Sequence, residues 1–144
     1  MNQIIEGDIQ TAFELNNMIP EFEEKTLRAE FDKRLSLNNS KIYIAQIDGK
    51  NAGYVAAYDR YNDGSFYCWM AAVLPEYRRK GVLTSMMDTL ENWAKENGYN
   101  KIKIKTRNDR KEMQHYLISK GYEFTEVVAK DDRADNRLHL EKDL

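Results

Sequence analysis

The sequence predicts an α/β (α+β) fold with a mixed, mostly antiparallel central sheet of about six to seven strands, flanked by about four helices. Residues 41–58 have the pattern of an antiparallel hairpin. The strands predicted at 65–74 and from Lys101 are separated by an amphipathic helix, so they should lie parallel. A chain of 144 residues is the size of one domain, so a single domain over residues 1–144 is expected.

The region before the hairpin predicts one strand and two helices. Residues 1–5 are predicted as a short strand, and the helices are predicted over 8–18 and 22–37, with Pro20 between them. The apolar positions expected to face inward are Ile9, Ala12 and Phe13 in the first helix and Leu27, Phe31 and Leu35 in the second.

The hairpin and the strand after it are marked by turn residues. Strands are predicted at 41–47 and 52–58, joined by the turn Asp48-Gly49-Lys50-Asn51. A second turn at Asn62-Asp63-Gly64 leads into the strand 65–74, which is dense in aromatic and apolar side chains. Such a run is typical of a buried central strand.

The second half of the chain predicts two helices and three strands. One helix begins at Val82 and is ended by Gly98, and a strand follows at 101–105. Asp109 and Glu112 form a candidate capping box for a helix over 109–120, and the last strands are predicted at 122–128 and 137–140. The expected inward side chains of that helix are Met113, Tyr116 and Leu117.

The composition excludes several classes of protein. A net charge of -2 does not favour nucleic-acid binding, and one cysteine, Cys68, cannot form an internal disulfide. Two histidines and one cysteine make a poor zinc site, so no metal is expected. Neither a signal-peptide pattern nor a membrane-length apolar run is visible, so a cytoplasmic location without membrane contact is expected.

A basic segment stands between the predicted central strand and the helix that starts at Val82. Arg78, Arg79 and Lys80 precede Gly81, which lets a ligand approach the backbone closely. The first turn of a helix has unpaired N–H groups and partial positive charge, so this segment predicts an anion site. The alternative is a solvated basic turn.

These residues resemble the GNAT superfamily of N-acetyltransferases. The family's motif, Arg/Gln-x-x-Gly-x-Gly/Ala, is similar to residues 78–83, which follow the strand end and turn at 71–77. Thr106-Arg107-Asn108 and Lys120-Gly121-Tyr122 look like the family's second signature. The element order also matches over nearly the whole chain.

The resemblance implies the acyl-CoA N-acyltransferase fold and acetyl-CoA as co-substrate, bound where two parallel strands splay apart. It implies direct attack on the thioester by a primary amine of a small molecule or a protein. The cofactor-binding residues it implies are Ala71, Ala72, Val73, Arg78, Arg79, Lys80, Gly81, Val82, Leu83, Thr84 and Asn108.

Two positions depart from the family pattern. Leu83 replaces a Gly or Ala, and Leu117 stands where the family often has a general-acid tyrosine. Tyr116, one residue out of phase, is the candidate catalytic acid, with a core aromatic as the alternative. Asn108 is a candidate hydrogen-bond partner of the cofactor or substrate, with a helix cap as the alternative.

Other polar residues have weaker functional interpretations. Cys68 in an apolar strand favours packing over nucleophilic catalysis, and His115 and His139 favour surface or structural roles. The glutamates at 21, 23 and 24 are candidates for an acceptor entrance, or form a solvated helix face.

The alternatives to an enzyme are a coenzyme A-binding regulatory domain without turnover and an unrelated nucleic-acid module. The two departures at Leu83 and Leu117 motivate the first, and the overall charge disfavours the second. The final strand pair is a candidate edge for a homodimer.

Overall fold

In the computed structural model, which describes residues 2–22, 25–37 and 39–144, one seven-stranded sheet runs through the molecule in the order β1-β2-β3-β4-β5-β7-β6. Neighbouring strands are antiparallel except β4 and β5, which are parallel. The strands are β1 Asn2–Glu6, β2 Lys41–Ile47, β3 Lys50–Tyr58, β4 Ser65–Val73, β5 Lys101–Arg107, β6 Glu123–Val128 and β7 Arg137–Asp143. The helices are α1 Ile9–Asn17, α2 Arg28–Leu35, α3 Val82–Glu96 and α4 Lys111–Ser119. The predicted fold class and the parallel pair are confirmed.

Local chemistry explains the elements that were predicted most closely. Asp48 and Gly49 have φ of 50° and 79°, and two successive positive φ values suit the tight turn between β2 and β3. Asp8 caps α1 by accepting a hydrogen bond from the backbone N–H of Thr11 at 2.7 Å. Gly98, with φ of 87°, follows the end of α3.

The second helix starts later than predicted. It begins at Arg28 instead of residue 22, and Leu27, expected to face inward, is its N-cap residue and is 75% exposed. Lys25 donates from Nζ to the carbonyl of Ile19 at 2.8 Å, a contact that ties down the connection between α1 and α2. Tertiary contacts of this kind override the apolar spacing that predicted a longer helix.

The predicted start of α4 is also wrong. The helix begins at Lys111, and its N-cap residue is Arg110, for which the structure describes no side-chain cap. Asp109 instead accepts a hydrogen bond from Arg107 Nη2 at 3.2 Å. The carboxylate is therefore engaged by the end of β5, and the expected capping box with Glu112 does not form.

The sheet has a separate core on each face. Helix α3 and Leu117 of α4 cover one face, where they pack with Phe66, Cys68 and Ile102 of the strands. Helices α1 and α2 cover the other face over β2 and β3, where Tyr54 donates to Asn16 Oδ1 at 2.7 Å in a fully buried contact. Packed side chains thus lie on both faces of the sheet, and the functional site lies beside the parallel pair β4–β5.

Strand β6 lies at one edge of the sheet, beside β7. Phe124 and Val127 are 48% and 57% exposed there, as the candidate dimer edge requires, and association of two copies stays a prediction. Within the described ranges, none of the helices is long and apolar enough to cross a membrane.

The rotational phase of α4 can be tested by paired substitutions. Leu117 is fully buried and its neighbour Ile118 is 52% exposed. We expect Leu117→Ala to lower the free energy of unfolding by about 2–5 kcal/mol, because it leaves a cavity in the core. Ile118→Ala should change it by less than about 1 kcal/mol. Urea unfolding followed by circular dichroism measures both, and equal losses would contradict the placement of α4.

Candidate active site

The site is organised by the separation of the two parallel strands. β4 and β5 pair only from Ser65–Lys101 to Cys68–Ile104, although β4 continues to Val73 and β5 to Arg107. Beyond this point β4 stays paired with β3, and β5 with β7. The edge of β4 that faces β5 is therefore without a strand partner over its last residues, and buried backbone groups in such a position require another partner.

A cavity of about 510 Å³ lies against the end of β4, beyond the point where β4 and β5 separate. Its walls are the end of β4, the start of α3, the start of α4 and the connection between α1 and α2. The residues that line it are Ile19, Glu21, Phe22, Ala71, Ala72, Val73, Tyr77, Arg78, Arg79, Gly81, Val82, Leu83, Thr84, Asp109, Arg110, Lys111, Glu112, Met113 and Tyr116. The cavity thus brings together ten of the twelve site residues that the sequence predicted, all except Lys80 and Asn108.

The N-terminus of α3 is open toward this cavity. Its N-cap is Gly81 in the left-handed conformation, with φ of 76°, and no side chain among the described residues caps the helix. No described heavy atom lies within 4 Å of the position that a Cβ would take on Gly81. The first-turn N–H groups of a helix left in this state bind an anion favourably.

The three consecutive cations before Gly81 have different surroundings. Arg78 donates from Nε to the Val73 carbonyl at 2.9 Å and from Nη2 to Glu21 Oε1 at 2.9 Å. The hydrogen bond between Arg78 and Glu21 raises the pKa of Arg78 and lowers that of Glu21. Arg79 is 89% exposed, with a long ion pair to Glu112 at 3.7 Å. Arg79 and Lys80 are the cations more accessible to a ligand.

Arg78 and Arg110 both contact Glu21 and so fix the connection between α1 and α2 as one wall of the cavity. Besides the contact with Arg78, the carbonyl of Glu21 accepts from Arg110 Nη2 at 2.8 Å. The Arg110 guanidinium also lies 5.8 Å from the ring centre of Phe22. Glu21 reaches the cavity that an acceptor entrance would use, whereas residues 23 and 24 lie outside the described residues.

Tyr116 lies on the cavity and Leu117 lies in the core. Burial is the main cause that raises the pKa of Tyr116 to about 12; a hydrogen bond with Thr84 opposes it, and Glu91 and Asp88 add to it. The phenol therefore keeps its proton at neutral pH beside the first turn of α3. Leu117, which stands where the family often has a tyrosine, is buried in the core and does not line the cavity. Its neighbour Tyr116 lines the cavity instead.

Asn108 lies outside the lining of the cavity. Its Nδ2 donates to the carbonyl of Arg133 at 3.2 Å, and its backbone N–H donates to Asn136 at 2.9 Å. These contacts hold the turn between β6 and β7. The helix-cap interpretation is wrong because α4 has Arg110 at its N-cap, and the cofactor contact stays a prediction.

The remaining candidates are placed away from the lining. Cys68 is 1% exposed in the core, and burial, with a smaller effect of Glu91, raises the pKa of its thiol to about 12, which disfavours a thiolate nucleophile. His115 is exposed on α4, and His139 lies on β7 with Nδ1 3.4 Å from Glu126. The described residues contain no cluster of three or more side chains suited to a metal ion.

Sequence reasoning missed the residues that close the cavity opposite β4. Ile19, Phe22 and Arg110 are far from the motif in sequence and carry no motif of their own. The sequence feature that could have indicated this wall is Pro20, which predicts the end of α1 and the start of the connection to α2.

Comparison with protein families and solved structures agrees with this geometry. A family model described as the acetyltransferase (GNAT) family matches residues 8–122. Comparison with curated proteins gave no match.

Several solved acetyltransferases have the same fold. The ribosomal-protein-S18-alanine N-acetyltransferase from Escherichia coli matches 99% of this chain and 94% of its own, with a TM-score of 0.84 and 13% identity. A GNAT family acetyltransferase from Elizabethkingia anophelis with acetyl-CoA bound matches 99% of this chain and 98% of its own, with a TM-score of 0.78 and 15% identity. The IAA acetyltransferase from Bacillus cereus ATCC 14579 covers both chains fully, with a TM-score of 0.80 and 13% identity.

The different surroundings of the two adjacent arginines lead to a stability test. Arg78→Ala removes hydrogen bonds that join the end of β4 to the α1–α2 connection, and we expect a loss of about 1–3 kcal/mol in the free energy of unfolding. Arg79→Ala removes a side chain that is 89% exposed and should leave that free energy within about 0.5 kcal/mol of the parent protein. Chemical denaturation compares the two, and the reverse order would contradict the structural role of Arg78.

Proposed function

Because the chain belongs to the acetyltransferase (GNAT) family and is an acyltransferase of that fold, we propose that it transfers an acetyl group from acetyl-CoA to a primary amine by direct attack on the thioester. The observation that carries this proposal is the cavity at the end of β4, beyond its separation from β5, with the uncapped N-terminus of α3 in its wall. A single sheet contains all seven described strands, which supports the further proposal of one domain over residues 1–144.

The open start of α3 is the proposed site for the pyrophosphate of coenzyme A. The N–H groups of Gly81, Val82 and Leu83 lie where the helix dipole favours negative charge. Arg79 and Lys80 are proposed to add charge-assisted contacts, and Arg78 to support the loop through Glu21 and Val73. Leu83 lines the cavity and also packs against the core, so its side chain need not block the approach of a phosphate to the backbone.

The unpaired edge of β4 is the proposed binding surface for the pantetheine arm. That arm has amide groups, and the backbone of residues 71–73 offers groups that β5 no longer pairs, apart from the Val73 carbonyl, which accepts from Arg78. The acetyl thioester would then lie in the cavity near Tyr116. Acetyl-CoA would supply the activated acyl group as a thioester, and the chain would supply orientation and a proton donor for the thiolate of coenzyme A that leaves.

Tyr116 is the proposed general acid for the departing thiolate. It lies on the cavity, and its raised pKa keeps it protonated until the sulfur develops negative charge. An acceptor amine has to be neutral to attack. Glu21 is a weak base because Arg78 lowers its pKa, so we assign removal of the amine proton to water.

A binding experiment tests the phosphate site. Replacing Arg79 by Glu puts a negative charge beside the start of α3, and we expect the Kd for acetyl-CoA to rise about tenfold or more. Lys95→Glu, at the other end of α3, is the matched control and should leave the Kd unchanged. Isothermal titration measures both, and equal affinities in the two variants would contradict the proposed site.

A kinetic experiment tests the acid. Tyr116→Phe should lower kcat by about 10- to 100-fold while the Kd for acetyl-CoA stays the same, because only proton donation is lost. Tyr43→Phe, a buried tyrosine on β2, is the control. Since the pKa of Tyr116 is raised to about 12, its ionisation should not reduce activity below about pH 11. Thiol release over a panel of amines measures kcat, and an unchanged value in Tyr116→Phe would rule out this role.

A further inference from the structure

A group of cations and aromatic rings, outside the lining of the cavity, lies on the sheet face that α1 and α2 cover over β2 and β3. It consists of Arg60, Tyr61, Tyr67, Lys103 and Lys105, which we call the cationic face. Tyr67 of β4 is the register partner of Lys103 of β5, and Lys105 follows just after the pairing of these strands ends. The cationic face thus begins where the strands separate.

The three cations converge on two tyrosine rings. The Arg60 guanidinium lies 5.1 Å from the ring centre of Tyr67 and 5.5 Å from that of Tyr61. Lys105 Nζ lies 5.5 Å from the ring centre of Tyr67, and Lys103 Nζ lies 4.8 Å from that of Tyr61. The two rings are in edge contact, with centres 5.8 Å apart. Like charges held this close together favour an anion between them.

The carboxylates near the cationic face, including Asp59, which accepts from Tyr99, contact groups other than Arg60 and Lys105. Asp63 pairs with Lys103 at 2.7 Å, and Glu126 contacts His139. Within the part of the chain that the structure describes, neither Arg60 nor Lys105 has a carboxylate within 4 Å. Burial lowers the pKa of His139, Lys105 and Arg60 lower it further, and Glu126 opposes them. The effect of Lys105 and Arg60 shows that both cations lie close enough to His139 of β7 to influence it.

The distance to the cavity suits a bound acceptor. Tyr67 stands four residues before Ala71 on β4, which corresponds to about 13 Å along a strand. Lys105 follows Ile104, the register partner of Cys68, so its backbone lies nearer to Ala71 along the strands than Tyr67 does. Ile19 and Phe22, on the same face of the sheet as Tyr67, line the cavity, so the cavity and the cationic face share one side of the molecule.

We propose, on the premise that the proposed function is correct, that the acceptor amine carries a carboxylate or phosphate group, and that Arg60 and Lys105 bind this group while the amine reaches the cavity. The acceptor class is then an amine with an anionic group several bonds away. Tyr61 and Tyr67 hold the two cations in place, and the ring of Tyr61, which is 38% exposed, offers a flat surface to the chain between the acceptor's two ends.

Steady-state kinetics with matched amines test the proposal. The acceptors are ε-aminohexanoate and its amide, aminohexyl phosphate and aminohexanol, and glycine, whose charged groups are too close together. We expect kcat/KM to be about tenfold higher for the anionic member of a pair than for its neutral counterpart, mainly through KM. Comparing the carboxylate pair with the phosphate pair shows which anion is preferred. Glycine should be a poor acceptor.

Charge-removing variants locate the effect on the protein. The double variant Arg60→Ala, Lys105→Ala should lose the preference for anionic amines and keep its kcat/KM for the neutral amide. Lys95→Ala, on α3 at the opposite face, should keep the preference. A preference that persists in the double variant would overturn the assignment to Arg60 and Lys105. Equal kcat/KM within each pair for the parent protein, with transfer still measurable, would overturn the anionic acceptor while leaving the acetyltransferase proposal standing.

A binding readout does not depend on turnover. The imidazole of His139 can be titrated by NMR with and without ε-aminohexanoate, and His115, exposed on α4, serves as the internal reference. An anion beside Arg60 and Lys105 should raise the pKa of His139, and the amide should not. A pKa that is unchanged at saturating ε-aminohexanoate and at saturating aminohexyl phosphate would overturn the proposal. Failure of acetyl-CoA to bind would instead count against the proposed function.

Discussion

The separation of β4 from β5 after Cys68 and Ile104 is the constraint on which the site depends. A parallel pair that parts inside a protein leaves backbone groups without strand partners, and such groups are costly unless another partner is present. The unpaired edge at residues 71–73 and the uncapped start of α3 face the same cavity. A ligand with amide groups and a diphosphate has complementary chemistry for both surfaces.

Local sequence signals predicted most of the fold because they act over a few residues. The apolar stripe of α3 and the alternation in β5 match the structure closely, and the predicted hairpin turn is present but shorter, since β3 already begins at Lys50. The start of α2 was missed because contacts that the apolar spacing does not show decide it, among them the one between Lys25 and the Ile19 carbonyl. The capping box of α4 failed because Asp109 is held elsewhere: Arg107 binds its carboxylate, and its backbone N–H donates to the carbonyl of Ala134, which is distant in sequence.

The candidate site shows the same division between local and distant information. The open helix start at Gly81 could be predicted because it needs only a strand, a turn and an amphipathic helix in succession. The partner of Arg78 could not, because Glu21 is fifty-seven residues away and has no motif. The position of Tyr116 followed from the phase of α4, which depends on burying Leu117.

The backbone between Arg78 and Gly81 explains how two adjacent arginines acquire different tasks. Arg78 has extended dihedral angles, and its side chain turns back to Val73 and Glu21. Arg79 has φ of 63°, a conformation that costs a residue with a side chain about 1 kcal/mol or more. This left-handed residue reverses the chain direction, so the Arg79 side chain is exposed while that of Arg78 is held inside. Left-handed residues on both sides of Lys80 also favour the convergence of successive N–H groups that makes a backbone anion site. The turn at Arg79 therefore lets Arg78 support the wall of the cavity and leaves the N–H groups near Gly81 available to an anion.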